Sequence, residues 1–305
     1  MITAQPTGTP SYVLSEGPVW HAASETLVWV DIEAGLVLRG ELDERGHISV
    51  IDRTELGEYV GCAIPLDDGR MLVALTRCLA IVHTDGSVTR SAELIPEHQR
   101  LNDGSIDPQG RLVVGSLTLS GDANDNVLLR LESSGELTVL DGGLGLSNGL
   151  GWSPDGTVFY STDTDAGTIY RRSYGAELVG EREPFIVFDE GVCPDGLTVD
   201  ASGRLWIAIW GGHGVRVFDE RGDELADLGA RIPPPHSSSV AFAGPALDHL
   251  VITSASRDLD DAERMRWPEA GGLFSAPSDA RGLPATPWLE APLPGVEPDL
   301  GALQR

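Results

Sequence analysis

An all-β fold is predicted, a six-bladed β-propeller with four-stranded blades around a central channel, on three observations. A segment of one design recurs at a period of roughly 40 to 47 residues, the range of a propeller blade. Each copy reads as short runs rich in Val, Ile, Phe, Tyr, Trp and Thr, separated by turns bearing Gly and Asp. Segments with a helical period are nearly absent, and the one candidate, DLDDAERM (258–265), lies inside the last copy.

The copies follow in order. The first opens with EGPVW (16–20), and the second is VGCAIPLDDGRMLVAL (60–75). The third opens with NDGSI (102–106) and the turn DPQG (107–110). In the fourth, NGLGW (148–152) is followed by SPDG, TVFYSTDT, DAG, TIYRRSY and PFIVFD, which is strand and turn in regular alternation. The fifth repeats this as DGLTVD, ASG, RLWIAIW, GGHG and VRVFDE. The sixth is SSSVAFAGPALDHLVITSAS (237–256). Six such sheets use nearly all of the chain, so residues 1–305 are expected to form a single propeller domain. Residues 1–12 are expected to add an outer strand to the last blade, closing the ring and covering an edge.

Composition agrees with this reading. The 37 glycines and 20 prolines are spread along the chain, as many turns require, and a hydrophobic content of 41% supplies a core. Cysteines number three, few and odd, so no disulfide framework is expected and a reducing cytoplasm is the default setting. No apolar run reaches membrane-spanning length, and MITAQPTGTPSY lacks a basic region followed by an apolar core; neither a membrane span nor a secretory signal is expected. A net charge of −26 disfavours nucleic acid and anionic membranes as partners, and its ordinary role is a solubilising surface.

Four copies place an oxygen-bearing residue four positions before an apolar anchor: Glu16, Asn102, Asn148 and Asp195. An even offset on a strand puts residue and anchor on one face. Because the first strand of each blade lines the channel, equivalent positions should converge at one rim. The other two ring positions are Gly61 or Val60, and Ser238. Two carboxylates and two amides, with no Lys or Arg among them, form a hard-oxygen cage suited to a divalent cation. Without one, the two carboxylates would repel each other. Asn-Gly and Asp-Gly pairs also shape turns, but Glu16 is not a turn residue. Asp103 is expected to point away from the ring, in a structural or supporting place. Arg100, two before Asn102, is expected on the same face nearer the rim, where a guanidinium could hold a substrate hydroxyl or carboxylate; an ordinary surface arginine is the alternative.

The remaining chemistry-bearing residues are less suggestive. The seven histidines show no HxH or HExxH spacing. His236 stands two before Ser238 and could overhang the channel mouth, although a loop histidine without a role is the plainer reading; His213 lies in the GGHG turn. Cys193 reads as a small buried hydrophobe. No GxSxG, phosphate-binding Gly loop or CxxC pair occurs, so serine-type acyl transfer and nucleotide chemistry lack a carrier.

LSEGPVW (14–20), RLNDGSIDPQGRLVVGS (100–116), SNGLGWSPDGTVFYSTDT (147–164) and PDGLTVDASGRLWIAIWGG (194–212), with WVDI (29–32) and GGLFSA (271–276), resemble the gluconolactonase, regucalcin and senescence-marker-protein family over about residues 11–300. The resemblance implies a six-bladed propeller that binds one divalent metal ion and hydrolyses sugar lactones. It implies metal ligands at Glu16, Asn148 and Asp195, with Asp195 also the general base, and substrate contacts at Arg100 and Asn102. Asn102 thereby moves from ligand to substrate contact. One departure stands out: where some members carry a glutamate that meets sugar hydroxyls, GSLTLSGD (115–122) places Leu119. A less polar lactone is therefore conceivable.

The expected activity is hydrolysis of an aldonolactone to the open aldonate, with a small-molecule lactone as the only partner implied. An all-oxygen shell favours Ca²⁺, Mg²⁺ or Mn²⁺, with Zn²⁺ or Fe²⁺ also open. Two other readings use the same ring. One is a phosphotriesterase with Asn102 as a fourth ligand, and the other a calcium-binding propeller without turnover.

Overall fold

The computed structural model describes residues 1–120 and 124–296; residues 121–123 and 297–305 of the expected domain lie outside the described residues. Its regular secondary structure is nearly all strand, arranged as six sheets that follow one another along the chain. The innermost strands are Ser15–His21, Val60–Pro65, Gln99–Ile106, Ser147–Trp152, Cys193–Val199 and Ser237–Ala243. From each, the blade runs outward through antiparallel neighbours, as in Ser15–His21, Thr26–Asp31, Leu36–Leu42 and Ile48–Glu55. This is the six-bladed propeller that the repeat predicts.

The N-terminal residues join two blades. Gln5–Pro6 pairs antiparallel with Leu273–Pro277 as the outer strand of blade six, as expected. Ile2–Thr3 adds an unforeseen parallel fifth strand beside Ala230–Arg231 of blade five. The one helix among the described residues is Asp261–Arg266, shorter than the 258–265 segment suggests. It begins where Asp260 and Glu263 form a capping box, and it buries no residue.

The core lies between blades. Trp29, at the centre of blade one, is fully buried among Leu27, Leu38, Ala243, Val251 and Leu273, so it bridges blades one and six. Leu72, Ala74, Leu101 and Val114 do the same for blades two and three, covered by Trp288 and Leu293 of the C-terminal segment. The turns after the inner strands of blades three and five owe their shape to one aspartate each. Asp107 Oδ1 accepts from the backbone N–H of Gln109 and Arg111, and its Oδ2 from Arg111 Nε at 2.8 Å. Asp200 repeats the arrangement with Ser202 and Arg204 and adds Trp206 Nε1 at 2.9 Å.

All six inner strands carry a register shift at the same place, between Glu16 and Val19, Val60 and Cys62, Leu101 and Gly104, Asn148 and Leu150, Pro194 and Leu197, and Ser237 and Val240. These bulges stand at or beside the predicted ring positions, so simple alternation does not decide where those side chains point. The bulge re-aims them. In blade two it falls at Gly61, between Val60 and Cys62, which are both paired across the strand.

Glycine is required there because neighbouring inner strands interlock. A Cβ at Gly61 would lie 2.3 Å from the Asn102 carbonyl oxygen, and one at Gly149 would lie 2.5 Å from the Leu197 nitrogen. At Gly196 it would meet Ser239 Oγ at 2.2 Å. Gly149→Ala and Gly196→Ala should therefore each destabilise by about 1–3 kcal/mol in urea unfolding. Gly142→Ala, where nothing lies within 4 Å, should stay within about 0.5 kcal/mol. Equal costs at all three would contradict the interlock.

Candidate active site at the channel mouth

Antiparallel pairing brings the start of each inner strand beside the end of the second strand, as Ser15 opposite Asp31. The connection from second to third strand and the approach to the inner strand therefore share one rim. Glu16, Asn102, Asn148 and Asp195 stand at that rim, each 5 or 6% exposed. Arg100, 4% exposed, is buried beside them and is not a surface arginine.

Hydrogen bonds fix the amide side of the ring. Arg100 Nη1 donates to Asn102 Oδ1 at 2.7 Å and to the Leu101 carbonyl at 3.0 Å. Asn102 Nδ2 donates to the Ser147 carbonyl at 2.9 Å and to Asn148 Oδ1 at 3.2 Å. A flipped Asn102 would set its NH₂ against a guanidinium, so its orientation is dictated by Arg100. Asn148 Nδ2 donates to Thr164 Oγ1 at 3.1 Å, and Thr164 Oγ1 donates to the Pro194 carbonyl at 2.7 Å. Thr164 thus ties the Asn148 amide to the strand that carries Asp195, leaving Asn148 Oδ1 turned toward Asn102.

The carboxylate side is electrostatically strained. Burial, and then the charges of Glu16 and Asp103, hold the Asp195 carboxyl well above its usual range, against a lowering by Arg100 and the Gly196 N–H. Burial and the Asp103 charge push Glu16 up to about 8, although Gly17 N–H donates to its Oε2 at 2.9 Å. Asp103 itself is raised to about 6 by burial, opposed by the Gly104 N–H. Glu16, Asp103 and Asp195 are therefore crowded together at the mouth. Asp103 departs from expectation because the bulge at Asn102 and Asp103 interrupts the alternation that would have turned it away. Ser238, the sixth ring position, spends its hydroxyl on the Ser15 carbonyl at 2.6 Å and contacts Thr253 Oγ1 at 2.9 Å, so it locks blade six to blade one.

A divalent cation fits this donor set. Asp195 Oδ1 is buried with no hydrogen-bond partner, an expensive state for a carboxylate oxygen unless a cation meets it. Among the described residues no three side chains drawn from His, Cys, Asp and Glu gather closely enough to hold an ion by themselves; the Asn148 amide oxygen is the natural third donor beside Glu16 and Asp195. Both amide oxygens accept one hydrogen bond, but the donor at Asn102 is the Arg100 guanidinium, whose charge opposes a second cation there, which suits a wall residue better than a fourth ligand.

Other side chains at this rim escape sequence reasoning. Arg100 lies over the Tyr59 ring at 5.6 Å, and its guanidinium is lowered to about 10 by burial and then by Arg257, with Glu16, Tyr59 and Glu33 opposing. Their positions relative to Arg100 depend on how loops of different blades meet, and no spacing reveals that. Leu119, 43% exposed, follows the strand Leu112–Thr118, and its N–H donates to the His98 carbonyl at 2.9 Å. His236 stacks on Trp210 with centroids 4.3 Å apart, while His213 Nδ1 donates to the Pro233 carbonyl at 3.0 Å. Cys193 is half-buried and unpaired.

Residues 14–256 match the family described as SMP-30/Gluconolactonase/LRE-like region. The chain belongs to this family. Within the SMP-30/gluconolactonase group, it is 36% identical to pentonolactonase XacC of Haloferax volcanii, over 89% of this chain and 93% of the relative. It is 33% identical to a 6-deoxy-6-sulfogluconolactonase of Pseudomonas putida, covering 86% and 90%. Among solved structures, regucalcin from Agrobacterium tumefaciens, described as a calcium-binding protein, superposes with a TM-score of 0.86 at 27% identity, covering 95% of this chain and 98% of that one. The names of the two enzymes point to lactone hydrolysis. No helix among the described residues is long and apolar enough to cross a membrane.

Proposed function

We propose that this chain, acting as one domain over residues 1–305, hydrolyses a sugar lactone to the aldonic acid with a divalent cation held by Glu16, Asn148 and Asp195. The observation that carries this reading is the buried, unpartnered Asp195 Oδ1 beside a second raised carboxylate and an amide fixed in orientation. When bound, the cation supplies Lewis-acid polarisation of a carbonyl oxygen and balances the crowded negative charge.

The chain's own residues do the rest. Asp195 removes a proton from the attacking water and returns it to the ring oxygen as the acyl C–O bond breaks, so water is added across that bond. Arg100 has one edge spent on Leu101 and Asn102 and its remaining N–H groups available to the substrate. Asn102 Oδ1 keeps a lone pair for a substrate hydroxyl. The two form a wall that holds the lactone carbonyl carbon toward the water. Free thiols at Cys62, Cys78 and Cys193 suit a reducing cytoplasm.

A lactone panel followed by proton release, with Ca²⁺, Mg²⁺, Mn²⁺ or Zn²⁺ added in turn, tests the reading. Opening no faster than in buffer with any ion would leave a calcium-binding propeller without turnover. A faster rate on an organophosphate would leave the phosphotriesterase. Glu16→Gln should weaken cation affinity by more than the ~10–100-fold that loss of a merely supporting group costs, and an unchanged calorimetric isotherm would remove Glu16 from the ligand set.

A further inference from the structure

Leu119 offers no acceptor for a sugar hydroxyl, yet an acceptor stands on the opposite side of the same rim. Glu33 lies in the connection between the second and third strands of blade one, Thr26–Asp31 and Leu36–Leu42. It pairs with Arg257 Nη1 at 3.1 Å, and Arg257 belongs to the corresponding connection of blade six. Arg257 is held there by its backbone N–H, which donates to the Val13 carbonyl at 3.0 Å, and its Nε lies 3.6 Å from Asp258. Both side chains remain partly open, Glu33 at 31% and Arg257 at 44%. Arg100 lies over the Tyr59 ring at 5.6 Å, and the charges of Arg257 and Glu33 both act on its guanidinium.

We propose that the Glu33–Arg257 pair is the specificity-determining element of the mouth, binding the hydroxyl-bearing tail of a polyhydroxy lactone on the side of blades one and six. A sugar hydroxyl both donates and accepts. A carboxylate beside a guanidinium serves both functions at once, whereas Arg100 alone only donates. The pair restores the acceptor that Leu119 lacks, and it sets the tail at the junction of the first and last blades. This rests on the lactonase reading for its chemistry but not for its binding geometry.

The test compares δ-gluconolactone with δ-valerolactone, which has the same ring and no hydroxyls, in the wild type, Glu33→Gln and Arg257→Met. The ratio of kcat/KM for the hydroxylated over the bare lactone should fall about tenfold in each variant, the size expected for one charge-assisted hydrogen bond, and the loss should appear in KM. A variant that lowers both substrates alike, leaving the ratio in place, would overturn the proposal. Calorimetric binding of sorbitol provides a readout that needs no turnover. Roughly tenfold weaker binding in Glu33→Gln supports the pair; equal binding, or none by the wild type, overturns it. Failure of the wild type to open either lactone would count against the hydrolase alone.

Discussion

Asp195→Asn should lower kcat/KM for lactone hydrolysis by about 10³-fold or more with saturating cation present, since it removes both the proposed base and one charge from the ion's shell. The same substitution should make the cation-free protein more stable. Asp195 is 5% exposed, its Oδ1 meets no donor, and the charges of Glu16 and Asp103 oppose its own. Asparagine keeps the shape and abolishes the repulsion. A site built for function commonly carries such a cost in stability. Melting temperatures without cation, measured at pH 8, should rank the variant above the wild type, and added Ca²⁺ should raise the wild type far more than the variant. Retained hydrolysis in Asp195→Asn would dismiss it as the base. A cation-free variant less stable than the wild type would show that the carboxylate is satisfied by contacts within the protein.

How much of this was legible in the chain depends on the distance over which each contact is made. The blades follow from local patterning: NGLGW, SPDG and TVFYSTDT carry strand, turn and strand within a few residues, and Ser147–Trp152 and Val158–Asp163 answer to them. The ring position followed from register, because six copies of one unit put equivalent residues at one rim. Its geometric reason was misread. The even offset from Glu16 to Trp20 or from Asn102 to Ile106 suggested plain alternation, whereas a bulge intervenes in each strand. That error hid Asp103, the third carboxylate at the mouth. Thr164, Tyr59, Glu33 and Arg257 were invisible for a different reason. Each sits in a connection whose neighbour belongs to another blade, and Arg257 meets Glu33 only because the ring closes. A repeat unit encodes the blade, but the contacts between blades depend on all six together.

Removing the cation should make stability fall as pH rises, the reverse of the usual carboxylate behaviour. Glu16 moves from its ordinary 4.5 to about 8 and Asp103 from 3.8 to about 6, while Asp195 shifts in the same direction. Between those values the folded state keeps protons that the unfolded chain has released. Stability is therefore fully present below the ordinary carboxylate range and is lost as pH climbs through the raised values. The cation reverses this trend, because it competes with those protons and binds more tightly once they have left. At a hundred times its Kd a ligand contributes about 2.7 kcal/mol, worth roughly 4 °C of melting temperature in a chain of this size. The Ca²⁺-induced rise should accordingly be larger at pH 8.5 than at pH 5.5, with the chelated protein melting lower at the higher pH. A rise that is equal at both, or larger at pH 5.5, would mean that the buried carboxylates at the mouth are not where the cation binds.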